Sequence, residues 1–238
     1  MAWDFAAQIH ALTGFDADDS SGTTETGDTY SLMADRWLVD AAREVINILP
    51  PELKIECATI TSLTSSTPMD LDATGKVFHV TRENADSGYH IGCREVNPIH
   101  AGSAGDSTSL HYVTVTDPIY WVESDTGGDP KLFVKPDPTA NQPARVHHVA
   151  FPPNSTSWDG SNLPTVSTSI TNFPDEAEYL VVLRAAITAA EYLLAIEEDV
   201  ELYIPVISSL KAQYQEGVLA LTTGSTIPQQ RQRQQGAG

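Results

Sequence analysis

The sequence predicts an α+β protein: a helical bundle assembled from its N- and C-terminal segments, with an inserted antiparallel β domain of the small-sandwich or open-barrel type. Three observations predict it. Apolar residues recur at three- and four-residue spacing over 29–49 and again over 174–222, the period of a helix with one buried stripe. Between these segments, 55–172 carries short β-branched and aromatic runs, cut by Gly, Pro, Asn and Asp about every 8–12 residues. Neither helical segment can bury its stripe alone, so the two are expected to pack together with the β region looped out. The expected division is a discontinuous bundle over 1–54 and 173–222, an inserted β-rich domain over 55–172, and a flexible tail over 223–238.

Residues 3–12 read as a short amphipathic helix with Gly14 as its stop. Residues 15–28 are polar. Asp16, Asp18 and Asp19 invite a calcium loop, but counting from Asp16 puts Ser21 where the loop needs Gly and Gly27 where it needs Glu, so a solvated loop is expected. Asp28 is a suitable N-cap for helix 29–49. Tyr30, Met33, Trp37, Ala41 and Ile48 run down its apolar side with Leu38, Ala42, Val45 and Leu49. Asp35, Arg36, Asp40, Arg43 and Glu44 fill the polar side, and Pro50-Pro51 ends the helix.

Seven strands are expected, over 55–63, 76–82, 89–96, 110–116, 119–123, 131–135 and 145–149. Residues 151–172, rich in Pro, Ser, Thr and Asn, read as an extended return arm. Pro174 suits a helix start, and Asp175 and Glu176 suit its positive end. Leu180, Leu183, Ile187 and Leu194 then form a wide stripe with Val181, Ala185, Ala190 and Ala195. Asp199 caps a second helix, expected to start late or kink at Pro205, whose stripe is Ile207, Leu210, Tyr214, Val218 and Leu221. So short a connection makes the two helices antiparallel neighbours. The tail after 223 has almost no apolar residue beyond Ile227 and cannot offset its ordering entropy alone.

Length and composition set bounds. A chain of 238 residues suffices for one large or two small domains, and 41% apolar content is ordinary for a globular protein. No apolar run approaches the length of a membrane span, and Met1-Ala2-Trp3-Asp4 lacks the basic and apolar regions of a secretory signal. Cys57 and Cys93 fit no zinc or redox spacing; free thiols are expected, with a disulfide between them left open. The net charge of −19 is spread along the chain. Residues 1–56 hold 11 acids and 3 bases, while 223–238 hold only Arg231 and Arg233. Such acidity argues against gripping phosphates and fits either plain solubility or a surface that DNA passes without sticking.

No catalytic constellation emerges. Gly-x-Ser-x-Gly, phosphate-loop and dinucleotide motifs are missing from the sequence. His79, His90, His100, His111, His147 and His148 lie in the β region without metal-ligand spacing, and His147 and His148 would point to opposite faces of a strand. No cofactor, metal or catalytic residue is expected. Asp70, Asp72, Glu83, Asp117 and Glu123 leave a glycoside-hydrolysing pair open, and Tyr89, Tyr112, Tyr120, Trp121 and Phe133 leave a sugar platform open; turn carboxylates and sheet core are the alternatives.

Helix 29–49 ending at Pro50-Pro51, the run Phe173-Pro-Asp-Glu-Ala-Glu-Tyr-Leu-Val-Val-Leu-Arg-Ala-Ala-Ile187 leading into a helical hairpin, and the polar C-terminal tail carry a resemblance. In this order and pattern, over about 85 residues, the chain resembles the head-to-tail connector (adaptor or neck) proteins of tailed bacteriophages. The large β region departs from the simplest members.

The resemblance implies a virion structural protein rather than an enzyme, assembled in the bacterial host cytoplasm. Its copies, commonly twelve, would form a ring that joins the portal to an adjacent neck or tail protein and lines the DNA exit channel, without binding that DNA specifically and without a membrane. Trp37, Val45, Leu180, Leu183, Ile187, Leu210 and Tyr214 would form the helical core and ring wall. The tail residues Ile227, Gln230, Arg231, Arg233 and Gln235 would dock on the portal. Two other readings stay open: another phage structural component (collar, tail-completion or baseplate protein), and a carbohydrate-binding or hydrolytic module on the β domain.

Overall fold

The computed structural model describes residues 3–17, 29–71, 74–84, 88–109, 112–151, 164–197 and 199–224. The chain is α+β and divides into two compact units, one from Met1–Cys57 with Pro152–Gly238 and one from Ala58–Phe151.

The first unit is helical. Helix α1 (Phe5–Thr13) is capped by Asp4, whose Oδ1 accepts from Ala7 N at 2.8 Å, and stops at Gly14, left-handed at φ 77°. Helix α2 (Tyr30–Ile48) is capped by Thr29, whose hydroxyl accepts from Leu32 N at 3.3 Å. The expected cap, Asp28, lies outside the described residues, as does most of the 15–28 loop. Pro50-Pro51 does end α2, and Pro51 then opens a single turn, α3 (Pro51–Lys54), at the position where a missing N–H costs nothing.

The hairpin follows at the other end of the chain. It consists of α5 (Asp175–Glu197) and α6 (Val200–Gly224), with Asp199 accepting from Leu202 N at 3.1 Å. Helix α6 starts at Val200 and runs through Pro205, not late as expected. Pro205 lies so near the start that its missing N–H removes only an early bond of the ladder.

Helix α5 is the centre of this unit, packed by α1, α2 and α6. Its 23 residues are long and apolar enough to cross a membrane, contrary to the expectation that no such run exists. Neighbours on three sides account for that apolarity. Leu180, Val181, Ala185, Ala186, Ala189 and Ala190 are wholly buried, and the alanines let the partner helices approach. On α2 the inward face is Ala34, Leu38, Ala41, Ala42 and Val45, while Ile48 is partly exposed rather than on the apolar stripe.

Two assignments change. Asp35, expected on the polar side, is buried: its Oδ1 accepts from Thr165 N at 2.9 Å. That bond ties in the segment after 163, read from the sequence as part of a return arm within the inserted domain. A 3-10 turn (Pro164–Val166) packs on α1 and α2, Phe5 N donates to Ser167 O at 3.0 Å, Ile170 N donates to Glu178 at 2.6 Å, and Phe173 is buried. The boundary therefore falls at 151, not 172, because these backbone groups find their partners on helices.

The second unit is a sandwich. Its strands are β1 (Ala58–Leu63), β2 (Met69–Asp70), β3 (Thr74–Glu83), β4 (His90–Gly92), β5 (Arg94–Glu95), β6 (Ile119–Ser124), β7 (Pro130–Lys135) and β8 (Ala144–Ala150), with a short helix α4 (Pro98–Ala101). They form two four-stranded sheets, ordered β1-β8-β3-β4 and β2-β7-β6-β5. Met69, Leu132, Val134 and Tyr120 of one sheet share a core with Val80, Ala144 and Val146 of the other. Pairing is antiparallel except that β5 joins β6 in parallel, so the domain is mixed rather than purely antiparallel.

Three strand expectations are corrected. The first strand starts at Ala58, because residues 55–57 continue the turn after α3. The run 89–96 divides at Cys93 into β4 and β5, which belong to different sheets. The expected strand 110–116 is a turn held by a lone bridge, Thr114 to Asp117, over the described residues 112–116; Leu110 and His111 lie outside them.

Candidate assembly face

The hairpin presents two unlike faces. Inward, Tyr203, Ile207, Leu210 and Gly217 of α6 are buried, with Tyr214 half-buried. Gly217 marks the closest approach: a Cβ there would stand 2.6 Å from Leu180 Cδ2. A polar clasp closes the three-helix contact. Glu44 of α2 accepts from Arg184 Nε at 2.7 Å and from the Tyr214 hydroxyl at 3.3 Å, and Arg184 Nη1 donates to Thr188. Burial, then the Glu44 charge, pushes Tyr214 up to about 12, so it stays a donor. At the hairpin turn the Tyr203 hydroxyl donates to Glu197 at 2.6 Å, a bond that pushes its pKa up to about 12.

The outward side of α6 is exposed along the helix and sparsely charged. Its 25 residues include three charged ones, Glu201, Lys211 and Glu216, and Lys211 is paired with Glu191 at 2.7 Å. Apolar side chains stand out from it: Val200 is 54% exposed, Leu202 55%, Ile204 48% and Leu219 61%, with Ile196 of α5 beside the turn at 54%. The exposed side of α2, with Arg36 and Asp40, is charged by contrast. Between α1, α5 and α6 lies a groove of about 340 Å³ lined by Trp3, Leu12, Tyr179, Val182, Leu183 and Gln213, with no charged residue in its wall. Loss of charge combined with exposed apolar and aromatic side chains is the compositional mark of a protein contact.

The sequence-predicted wall residues fall inside this unit. Val45, Leu180, Leu183, Ile187 and Leu210 are buried, and Trp37 packs at a tilt against Phe15 and Tyr192, with ring centroids at 5.2 and 5.5 Å. They form the core behind the face rather than the face itself. Sequence reasoning missed the outward residues Val200, Leu202, Ile204 and Leu219. The signal was present in their positions off the inward stripe and in the scarcity of charge. The portal-docking residues Ile227, Gln230, Arg231, Arg233 and Gln235 lie outside the described residues.

On the β unit the carboxylates considered for glycoside chemistry are dispersed into separate contacts. Asp70 and Asp125 share Lys131 at 3.4 and 3.3 Å, Asp117 pairs Arg94 at 3.2 Å, Glu83 faces His90 at 3.9 Å, and Glu123 accepts from Trp121 Nε1 at 3.2 Å; Asp72 is outside the described residues. Of the aromatics, Tyr120 and Trp121 are buried in the sheet, and Trp121 stacks on Phe133 at 5.3 Å; Tyr89 and Tyr112 are exposed. Cys57 and Cys93 are both free thiols, pushed by burial up to about 11 and about 12. Among the described residues no group of three or more His, Cys, Asp or Glu is arranged to hold a metal ion. No protein-family model matches the chain, and no curated protein matches it.

Proposed function

We propose that this protein is a structural component of a tailed-bacteriophage virion: a head-to-tail adaptor whose copies form a ring between the portal and the tail, around the path of the DNA. The observation that carries this reading is the outward face of α6. A strip ~37 Å long and ~10 Å wide, from 25 residues at 1.5 Å rise, offers on the order of 400 Å² of projected surface. That is about half of what one partner contributes to a standard interface, so α6 supplies the centre of a contact and its neighbours the rim. The partner is another copy of the chain. Acidic chains of net −19 repel one another, and the near-neutral side of α6 is where two of them meet at the smallest electrostatic cost. The face and the groove beside it differ in shape, which suits a head-to-tail contact that closes into a ring.

In this role the helical unit is the wall, built rigid by the Glu44 clasp and the Gly217 contact. The remaining acidity faces channel and solvent, where it repels DNA phosphate and lets the genome pass. Residues 225–238 follow α6 in the sequence, and Arg231 and Arg233, the two bases of an otherwise uncharged stretch, suit carboxylates on a portal. The native mass of the full chain is the test. We expect a closed oligomer near twelve copies in the wild type and a folded monomer for Leu219→Asp. Deleting 225–238 should preserve the oligomer and abolish capture by portal particles. A wild-type chain that stays monomeric at high micromolar concentration, or a Leu219→Asp variant that assembles normally, overturns the ring reading.

A further inference from the structure

We infer that His79 and His147 form a two-imidazole site for a divalent transition-metal ion, with Cu²⁺ preferred over Ni²⁺ and Zn²⁺. The two residues are register partners on β3 and β8, the central strands of their sheet. Their rings stack with centroids 4.0 Å apart and planes 19° from parallel. Both side chains lie on the solvent side, His79 exposed and His147 half-buried, while the next residue, His148, turns inward to bond Thr61 at 2.9 Å. Among the described residues no hydrogen bond engages the ring nitrogens of His79 or His147, so their lone pairs are uncommitted.

The chemistry suits chelation. Metal–imidazole bonds run about 2.0–2.1 Å, so two nitrogens on one ion sit roughly 3 Å apart. Rings already 4.0 Å apart on paired strands, next to a register shift between Val77 and His79, reach that geometry by rotation of the imidazoles, and water completes the coordination. Holding both ligands as register partners in one sheet lowers the ordering cost of a second ligand. Imidazole nitrogens favour Cu²⁺ by the usual order of divalent stabilities.

The groups facing the pair are known. On the same side of the sheet, strand alternation places Ile60 and Ser62 of β1, Thr81 and Glu83 of β3, His90 of β4 and Arg145 of β8. Arg145 opposes a cation and makes the site weaker than an isolated pair.

Titration of the full chain with Cu²⁺ at pH 7.4, followed by electron paramagnetic resonance, tests the assignment. The expected spectrum shows two imidazole nitrogens on one copper. His79→Gln and His147→Gln should each reduce it to one nitrogen and weaken binding at least tenfold, with far-UV circular dichroism unchanged, and His100→Gln should leave it intact. Binding should be lost as pH falls below about 6, where protons compete for the rings. In wild type, Ni²⁺ should broaden the His79 and His147 ring signals first. A two-nitrogen spectrum that survives either substitution, binding changed less than twofold, or broadening centred on other histidines overturns the site.

Discussion

Gly217→Ala isolates the contact on which the hairpin's rigidity depends. The new Cβ would lie 2.6 Å from Leu180 Cδ2 and 2.6 Å from the Tyr179 hydroxyl. Carbon pairs rest at about 3.5–4.0 Å, so roughly 1 Å of separation must be created. Tyr179 is 44% exposed and can swing aside; Leu180 is 0% exposed and cannot. Overpacking of this kind costs about 1–3 kcal/mol, against about 1 kcal/mol gained by replacing glycine within a helix. The net expectation is a loss of roughly 0–2 kcal/mol.

The sign changes when the obstacle is removed. In a Leu180→Ala background, itself about 2–5 kcal/mol less stable, the buried obstacle is gone, the exposed Tyr179 ring swings aside, and the helix-propensity gain remains. There Gly217→Ala should stabilise by about 1 kcal/mol. Urea unfolding followed at 222 nm, where the helical unit dominates the signal, measures all four proteins. A Gly217→Ala effect equal in both backgrounds would refute the close-approach argument, because independent sites add and touching ones do not.

Arg82 is 2% exposed and serves three acceptors: its Nε donates to Pro136 O at 3.0 Å, Nη2 to Asp137 O at 2.9 Å and Nη1 to Gln142 Oε1 at 3.2 Å. Arg82→Lys cannot span this fork and should destabilise the β unit by about 1–3 kcal/mol for each acceptor orphaned; an unchanged thermal transition of the Trp121 signal would contradict this. Burial raises the pKa of Asp35 above its ordinary value, with the Thr165 bonds opposing. A raised carboxyl binds its proton more tightly when folded, so stability is highest below the unfolded value and declines as pH rises through the folded one. Asp35→Asn should therefore be more stable than wild type at pH 7 in urea titrations, with the advantage vanishing below about pH 4; a constant difference across that range would count against it.

The periodicities that were legible are those in which every turn repeats one rule. Helix α2 and the hairpin declare themselves because Leu38, Ala42, Val45, Leu180 and Ile187 recur at helical spacing. What stayed hidden depends on contacts distant in sequence. Asp35 reads as a surface charge until Thr165 arrives, 130 residues later, with a backbone N–H that needs an acceptor. The segment 164–173 has no periodic pattern, so only its bonds to Phe5, Asp35 and Glu178 assign it to the helical unit. The run 89–96 looks like one strand because alternation cannot reveal that Cys93 marks a change of sheet. The 3-10 turn, β2 and α4 are too short to carry a period at all.

The candidate face was hidden for a different reason. Pattern reading finds the residues that are turned inward and treats the remainder as solvated. On α2 that default holds for Arg36 and Asp40, which are exposed, while Glu44 reaches across to Arg184 and Tyr214. On α6 it fails: the outer side carries Ser208, Ser209, Ala212, Gln215, Leu219 and Ala220 with only Glu201, Lys211 and Glu216 as charges, in a chain of net charge −19. Two unit charges 10 Å apart in water interact by only about 0.4 kcal/mol, and salt screens even that within about a Debye length. Many such pairs across a contact of two acidic chains would still outweigh the burial of a few leucines. A face that carries only Glu201, Lys211 and Glu216 over some 37 Å is therefore a place where burying Val200, Leu202, Ile204 and Leu219 can dominate, and that balance ties the composition of one helix to assembly.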